Sequence, residues 1–387
     1  MQKVYNVAIV GAAGDMGSGN MFDERIPFVY SYAGAVLQNQ RTKLVALIDT
    51  DSKKLSVLYG RLWALGHRGF RAYSTLADAI ANEEEVYGTI DIVCSAASPA
   101  VNAETIRTAV KNGLRGVYVD KPLALDLAVA DEIAQLEKIS GIKLQVNYLR
   151  NFDPCHNAVL DYVRSGELGT LLTVRCLYKG GVIGVGPHSI ALLNKLFGMP
   201  KWVSAVTSPI LNTRAPADPN VDATLHYHFA EQGHYINVSL VATGKGNFLN
   251  STYLFGFEFI GTKGIIKIEE NGWRVVFERM EESRIFGSLG ETMPYRTDTV
   301  PLALKADAPR EFMLDGLADL VDALDNDRQP VCSAVPSCGA EEVAHALKLS
   351  ADAAGASVAL PLADRNHAFA GSVTGMQVLR TENAEKE

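Results

Sequence analysis

Val7-Ala8-Ile9-Val10-Gly11-Ala12-Ala13-Gly14-Asp15-Met16-Gly17 runs from a β-branched strand straight into a G-x-x-G-x-x-G loop. Glycine suits such a loop because the turn is tight and the backbone must approach a pyrophosphate, whose charge then rests on N–H groups at a helix start. In isolation the same residues would also serve as a plain strand-to-helix turn. The next strand adds to the case by ending Ala46-Leu47-Ile48-Asp49. A carboxylate at that end accepts from an adenosine ribose 2′-OH and repels a 2′-phosphate, which favours NAD over NADP. The candidate cofactor-binding residues are therefore Gly11, Ala13, Gly14, Asp15, Met16, Gly17 and Asp49. Asp49 follows Gly17 by 32 residues, against the usual spacing of about 20. Ser18–Gln40 thus reads as an insertion before or within the first crossover, with Pro27 ending or restarting a helix. Lys53 and Lys54, read as a solvated helix start, keep NADP as the second choice.

Outward from the loop, the first 150 residues alternate strand and helix. Val4–Val10, Leu44–Asp49, Ile90–Cys94, Gly116–Val119 and Lys143–Asn147 are short, Val- and Ile-rich runs of the buried parallel type. Ser52–Tyr59, Leu76–Ala81, Val101–Lys111 and Leu127–Ile139 carry helical spacing. The pattern predicts an α/β Rossmann domain with a doubly wound parallel sheet over residues 1–148. The rhythm then changes. Helices at Pro154–Arg164 and His188–Phe197 flank a strand at Leu171–Tyr178. Long alternating runs follow at Val221–Phe229, His234–Val241, Tyr253–Gly261, Gly264–Glu269 and Trp273–Arg279, before helices at Glu311–Asp325 and Ala340–Ala354. This predicts an α+β domain with a large open, mostly antiparallel sheet over 149–370 and a polar tail over 371–387.

Composition excludes several classes. The 387 residues are 48% hydrophobic and 21% charged, ordinary for a globular protein. The net charge of −8 argues against nucleic acid as a partner. Apolar runs are of strand length, so no membrane span is expected, and the absence of a secretory core at the start points to the cytoplasm. Five scattered cysteines fit neither a disulfide scaffold nor a zinc module. His226 and His228 share one face of a strand and His234 begins the next, but no Cys or carboxylate set accompanies them. No metal site is predicted.

The fourth recognised strand closes as Val117-Tyr118-Val119-Asp120-Lys121-Pro122, which puts a lysine at the sheet edge where open α/β sheets bind ligands. Asp-Lys-Pro resembles the Glu-Lys-Pro signature of the Gfo/Idh/MocA oxidoreductases. Asn147-Tyr148-Leu149-Arg150-Asn151-Phe152-Asp153-Pro154 is similar to that family's Arg-Arg-Phe-x-Pro segment, and Phe259-Ile260-Gly261-Thr262-Lys263-Gly264 to its Gly-Thr-Lys-Gly sheet motif. The resemblance implies a dehydrogenase or reductase that transfers a hydride between NAD(P) and a secondary hydroxyl or ketone of a sugar, cyclitol or nucleotide sugar. It also implies a homodimer or homotetramer formed through the open sheet. By the same resemblance Lys121 orients the substrate hydroxyl and His188 moves its proton. Lys121 and Arg150 line the substrate, and Ser95 and Ala96 touch the dinucleotide at the end of the third strand.

The chain departs from the family pattern at the histidine. The aspartate expected four residues before His188 is Gly184, the one often found three residues after is Ala191, and Asn102 stands where many relatives carry histidine. A histidine works as a base near neutral pH only when a partner fixes its orientation and tautomer. Tyr178 and Lys179, ahead of Gly180-Gly181, resemble a sub-branch linked to surface-carbohydrate biosynthesis and are candidates for sharing the polar work. They read equally as a strand-end tyrosine and a solvated lysine. Gly184 and Ala191 motivate a second reading, an NAD(P)-binding sensor or regulator that kept the fold and lost catalysis. A third keeps catalysis but reduces a keto-sugar, or follows oxidation by elimination.

Overall fold

The computed structural model describes residues 2–83, 88–213, 215–243, 255–269, 272, 274–282, 292–297 and 311–366. The expected tail over 371–387, the preceding residues 367–370, and the expected strand starts at Tyr253 and Trp273 lie outside the described residues. The chain divides into two compact units, one of residues 1–153 and 309–338, the other of 154–308 and 339–387.

The first unit alternates β1 (Tyr5–Val10), α1 (Tyr32–Gln38), β2 (Thr42–Ile48), α2 (Ser52–Ala64), β3 (Arg71–Tyr73), α3 (Leu76–Glu83), β4 (Ile92–Ser95), α4 (Pro99–Lys111), β5 (Gly116–Val119), α5 (Leu127–Ser140) and β6 (Lys143–Val146). All strand pairs are parallel, in the order β3-β2-β1-β4-β5-β6. This is the doubly wound arrangement, with its switch point beside β1. β4, β5 and β6 are buried along their whole length, as strands covered on both faces must be. Sequence punctuation sets the helix ends. Asp126 caps α5 by accepting from the Ala128 N–H at 2.8 Å, and Gly141 stops it at φ +73°.

Ser18–Gln40, expected as an insertion, contains the first crossover helix itself. A 3-10 turn at Gly19–Phe22 precedes an irregular stretch and then α1, whose Tyr32, Ala33, Gly34, Ala35 and Val36 are buried. The start of α1 is closed by protein. Ser31 Oγ accepts from the Gly34 N–H at 3.1 Å, while the Tyr32 and Ala33 N–H groups donate to the Met16 and Gly17 carbonyls at 2.9 and 2.8 Å. The glycine loop therefore does not open directly onto a helix, as the sequence reading supposed. The first helical donors are used to hold the loop. β3 escaped the sequence reading because Arg71-Ala72-Tyr73 has no apolar run, and its pairing with β2 alone makes it a strand.

The second unit carries α6 (Pro154–Arg164), β7 (Leu171–Tyr178), α7 (Gly186–Phe197), β8 (Trp202–Thr207), β9 (Val221–Phe229), β10 (His234–Ala242), β11 (Phe255–Gly261), β12 (Gly264–Glu269), β13 (Arg274–Glu282) and β14 (Thr292–Thr297). The chain then returns to the first unit as α8 (Phe312–Asp325), and α9 (Ala334–Asp352) leads on to β15 (Val358–Ala359). The second sheet has the order β14-β13-β12-β11-β7-β10-β9-β8-β15. Among the described residues its ladders are antiparallel except β7 with β10. Alternation along β9 and β10 buries one face and leaves the other partly exposed. On that exposed face His226 stacks between Trp202 and Tyr235 at 4.9 and 5.0 Å.

Polar groups of β6 and α5 explain why α8 and the start of α9 belong with the first unit. Gln145, fully buried, donates to Asp319 Oδ2 at 2.6 Å and accepts from the Cys332 N–H at 2.9 Å. The Glu137 carboxylate, 5% exposed, accepts from the Leu144 and Ala334 N–H groups at 3.2 and 3.0 Å. Burial nevertheless prevails over these donors and lifts its pKa from 4.5 to about 6. Asp315, pushed up by burial, Asp153 and Glu311, also reaches about 6. With a raised folded-state pKa, the folded protein keeps a proton that the unfolded chain releases, so stability falls as pH rises from 4.5 through about 6. Glu137→Gln should flatten this decline in thermal unfolding, leaving the part due to Asp315. An unchanged pH slope would refute the assignment.

Candidate functional site

The carboxyl ends of β1, β4, β5 and β6 are tied in a staircase. The Ala96 N–H donates to the Val10 carbonyl, that of Asp120 to Ser95, and that of Asn147 to Val119, each at 2.9 Å. The glycine loop and Lys121 leave from this edge. Gly11 has φ +68°, and a Cβ there would stand 2.9 Å from the Ala96 carbonyl. At Gly17 a Cβ would fall on the Gly11 and Ala12 carbonyls. Protein packing alone thus demands both glycines. Gly14 differs. It is exposed, and its nearest neighbour to a Cβ would be the Gly11 carbonyl at 3.4 Å, so protein packing does not account for it. An open glycine at the crest of the loop is what close approach of a phosphate requires. The Asp49 carboxylate braces the loop, with Oδ2 accepting from the Ala13 N–H and Oδ1 from the Asp51 N–H, both at 2.9 Å. It remains partly exposed. The exposed Gly14 and the partly exposed Asp49 carboxylate are thus the groups that would meet the phosphates and a ribose of a dinucleotide.

Beneath this edge runs a buried polar chain. Ser95 Oγ donates to Asn102 Oδ1 at 2.7 Å, and Asn102 Nδ2 donates to the Asp120 carbonyl at 2.9 Å. Asn102 is thus a brace between two strand exits, a role its position in α4 did not reveal. The Ser95 hydroxyl proton is used in that brace. Asp120 accepts from the Lys121 N–H at 3.0 Å, and burial raises its carboxyl pKa against the opposing pull of Lys121 and Asn147. Lys121 itself is half-buried. Tyr118 Oη donates to Asn147 Oδ1 at 2.8 Å, fixing the segment that leads to Arg150. The Arg150 guanidinium, 7% exposed, lies 4.7 Å over the Phe312 ring. Tyr30, from the stretch expected as an insertion, feels both Arg150 and Asp120, while burial raises its phenol pKa. Sequence reading missed Tyr30, for which there was no local signal.

In the second unit β7 delivers Tyr178 and Lys179, and α7 delivers His188. Tyr178 is buried. Its hydroxyl donates to the Val221 carbonyl at 3.0 Å and accepts from the Val221 N–H at 2.7 Å, which makes it a strand-end brace. Lys179 is half-buried. Gly180 and Gly181 turn the chain at φ +101° and +92°. His188 is half-buried beside the Phe255 ring, with centroids 5.7 Å apart. Asp218 lies against Gly184, where a carboxylate was expected from residue 184 itself. Its Oδ2 accepts from the Gly184 N–H at 2.7 Å and its Oδ1 from the Ile183 N–H at 2.9 Å. Only an Asp218-Pro219-Asn220 turn marked this residue in the sequence. The structure thus gathers the glycine loop, Asp49, Ser95, Ala96, Lys121 and Arg150 in one unit, and Tyr178, Lys179 and His188 in the other. Among the described residues no cluster of metal ligands occurs, and no helix is long and apolar enough to cross a membrane.

A doubly wound sheet with a glycine loop at its switch point and an acid ending the second strand defines a dinucleotide-binding domain. Residues 5–148 match the oxidoreductase family with the NAD-binding Rossmann fold, Gfo/Idh/MocA. Over this domain the chain is similar to that family. Inositol 2-dehydrogenase of Corynebacterium glutamicum (strain R) is 29% identical over 188 residues, 48% of this chain and 48% of the relative. The alignment thus spans about half the length of the curated relative. Among solved structures, an oxidoreductase from Agrobacterium radiobacter in complex with NAD+, L-tartaric acid and magnesium superposes with TM-score 0.67 at 16% identity, covering 92% of this chain and 98% of the other. The WlbA dehydrogenase of Bordetella pertussis, in complex with NADH and UDP-GlcNAcA, gives TM-score 0.67 at 16% identity over 94% and 99%. At such identities the likeness is one of fold.

The two kinds of glycine separate experimentally. Gly17→Ala should destabilise the protein by about 3 kcal/mol, because its methyl meets backbone that cannot yield. Gly14→Ala should melt like the parent yet bind NAD at least about tenfold more weakly. Paired thermal unfolding and NAD titrations check this, and equal NAD affinity in Gly14→Ala would contradict the placement of the phosphate.

Proposed function

We propose that the chain is an NAD-dependent dehydrogenase of the secondary hydroxyl of a polyol, meaning a sugar, cyclitol or nucleotide sugar, working in the cytoplasm as a homo-oligomer. The observation that carries this reading is Lys121 at the exit of β5, on the same sheet edge as the glycine loop and Asp49. The similarity to inositol 2-dehydrogenase and the ligands of the two structural neighbours support a polyhydroxylated substrate.

The Gly11–Gly17 loop, Asp49 and the Ala96 backbone hold the dinucleotide. NAD, when bound, accepts a hydride from the carbinol carbon. Lys121 donates a hydrogen bond to the reacting hydroxyl, and its positive charge stabilises the alkoxide that develops as the proton leaves. His188 takes that proton. Arg150 and Lys179 hold the remaining polar groups of the substrate. Tyr178, with its hydroxyl on Val221, shapes the loop that carries them. Asp49 sets the cofactor choice, because a 2′-phosphate would meet its charge.

Lys121→Ala should lower kcat about a hundredfold on whichever polyol the parent oxidises, read as NADH absorbance across a panel that includes myo-inositol, with NAD affinity little changed. Undiminished turnover would overturn the role. Asp49→Ser should narrow the preference for NAD over NADP in paired titrations, and an unaltered ratio would show that the acid does not discriminate.

A further inference from the structure

The segment between the glycine loop and α1 is fastened at both ends. The loop holds its start, where the Asn20 N–H donates to the Asp15 carbonyl at 2.8 Å. The residue before α8 holds its end, where Glu311 Oε2 accepts from the Val29 N–H at 2.7 Å. Tyr30 follows directly and is tied again. Its carbonyl accepts from Asn20 Nδ2 at 3.1 Å, and two residues on the Tyr32 N–H donates to the Met16 carbonyl. The side chain is set as firmly. Its ring meets Phe28 edge-on with centroids 5.6 Å apart, Phe28 meets Phe312 in the same manner at 5.6 Å, and the Arg150 guanidinium lies 4.7 Å over Phe312. A row of rings thus fixes the Tyr30 phenol relative to the Arg150 cation, all within the first unit.

The phenol is half-buried and lies within the fields of both Arg150 and Asp120. Asp120 directly precedes Lys121 and accepts from its N–H at 3.0 Å, so Tyr30 shares the neighbourhood of Lys121 and Arg150. Packing leaves its hydroxyl unused. Among the described residues that hydroxyl makes no hydrogen bond. The chemistry of its neighbours gives it a task. Ammonium and guanidinium groups donate only. A substrate hydroxyl that accepts from either still carries a proton to place, and an O–H buried without an acceptor weakens binding. A phenol takes that proton and can donate in turn, without bringing charge. We propose that Tyr30 is a specificity-determining residue that hydrogen-bonds a second hydroxyl of an uncharged polyol whose reacting hydroxyl lies on Lys121. The segment expected as an insertion thereby supplies one wall of the substrate site. This rests on the reading of the chain as a polyol dehydrogenase.

The test uses the full chain with NAD+ and two probe series, myo-inositol and D-glucose, each with its monodeoxy derivatives. Tyr30→Phe keeps the ring packing and removes only the hydroxyl. It should melt like the parent, bind NAD as tightly, and lose about tenfold in kcat/KM, mostly through KM, on the probe that the parent oxidises. The ranking of the derivatives is the readout that a merely structural role would not move. The parent should reject one derivative, the one lacking the hydroxyl that Tyr30 holds, about tenfold more strongly than Tyr30→Phe does. An unchanged kcat/KM, or a loss shared equally by every derivative, would overturn the inference and leave the dehydrogenase standing. A parent inert toward both series would count against the proposed reaction and the inference together.

Discussion

The backbone at residue 17 presses so closely on the carbonyls of Gly11 and Ala12 that no side chain fits between them. This contact folds the end of β1 back on itself and presents Met16 and Gly17 carbonyls to the first donors of α1. Gly11 makes a second close approach, to the Ala96 carbonyl after β4. The switch point of the sheet is therefore fixed by backbone against backbone, with little freedom to relax. The neighbouring strand exits lock to it through Asp120, Asn102 and Asn147, and Lys121 inherits that rigidity. A group that must hold a hydroxyl in one place gains from standing on such an edge.

Function has shaped the two units differently. Around the glycine loop, backbone crowding and one carboxylate, Asp49, do the positioning. In the turn before α7, Gly181 and Gly184 leave room for the buried Asp218 carboxylate. The loss of an acid at 184 suggested a chain retired from catalysis. Against that same glycine the structure seats the Asp218 carboxylate, which accepts from the Gly184 N–H.

Much of this was legible in the sequence where local chemistry is decisive. Val7–Val10 into Gly11 requires a strand and a tight loop, and the alternation in β9 and β10 requires a sheet with one covered face. Lys121 stands out through the Asp-Lys-Pro resemblance together with its place just after a buried strand. What escaped depends on partners distant in sequence. α1 hides in a stretch rich in small residues, and besides its Ser31 cap its first donors are taken by the Met16 and Gly17 carbonyls of the glycine loop. Tyr178 read equally as a polar helper and as a strand-end tyrosine, and Val221, 43 residues on, takes both hydrogen bonds of its hydroxyl. Gln145 and Glu137 find their partners in the returning chain near Cys332 and Ala334. No periodicity encodes such pairings.

The central claim is that the edge formed by the exits of β1, β4 and β5 is where NAD and substrate meet. A crystal structure of the chain grown with NAD+ and myo-inositol tests it most directly. The account predicts pyrophosphate density on the Gly14–Gly17 backbone, an adenosine ribose hydroxyl on Asp49, and the Lys121 ammonium within hydrogen-bonding distance of a substrate hydroxyl beside the nicotinamide. Dinucleotide density away from that loop, or a substrate bound out of reach of Lys121, would contradict it.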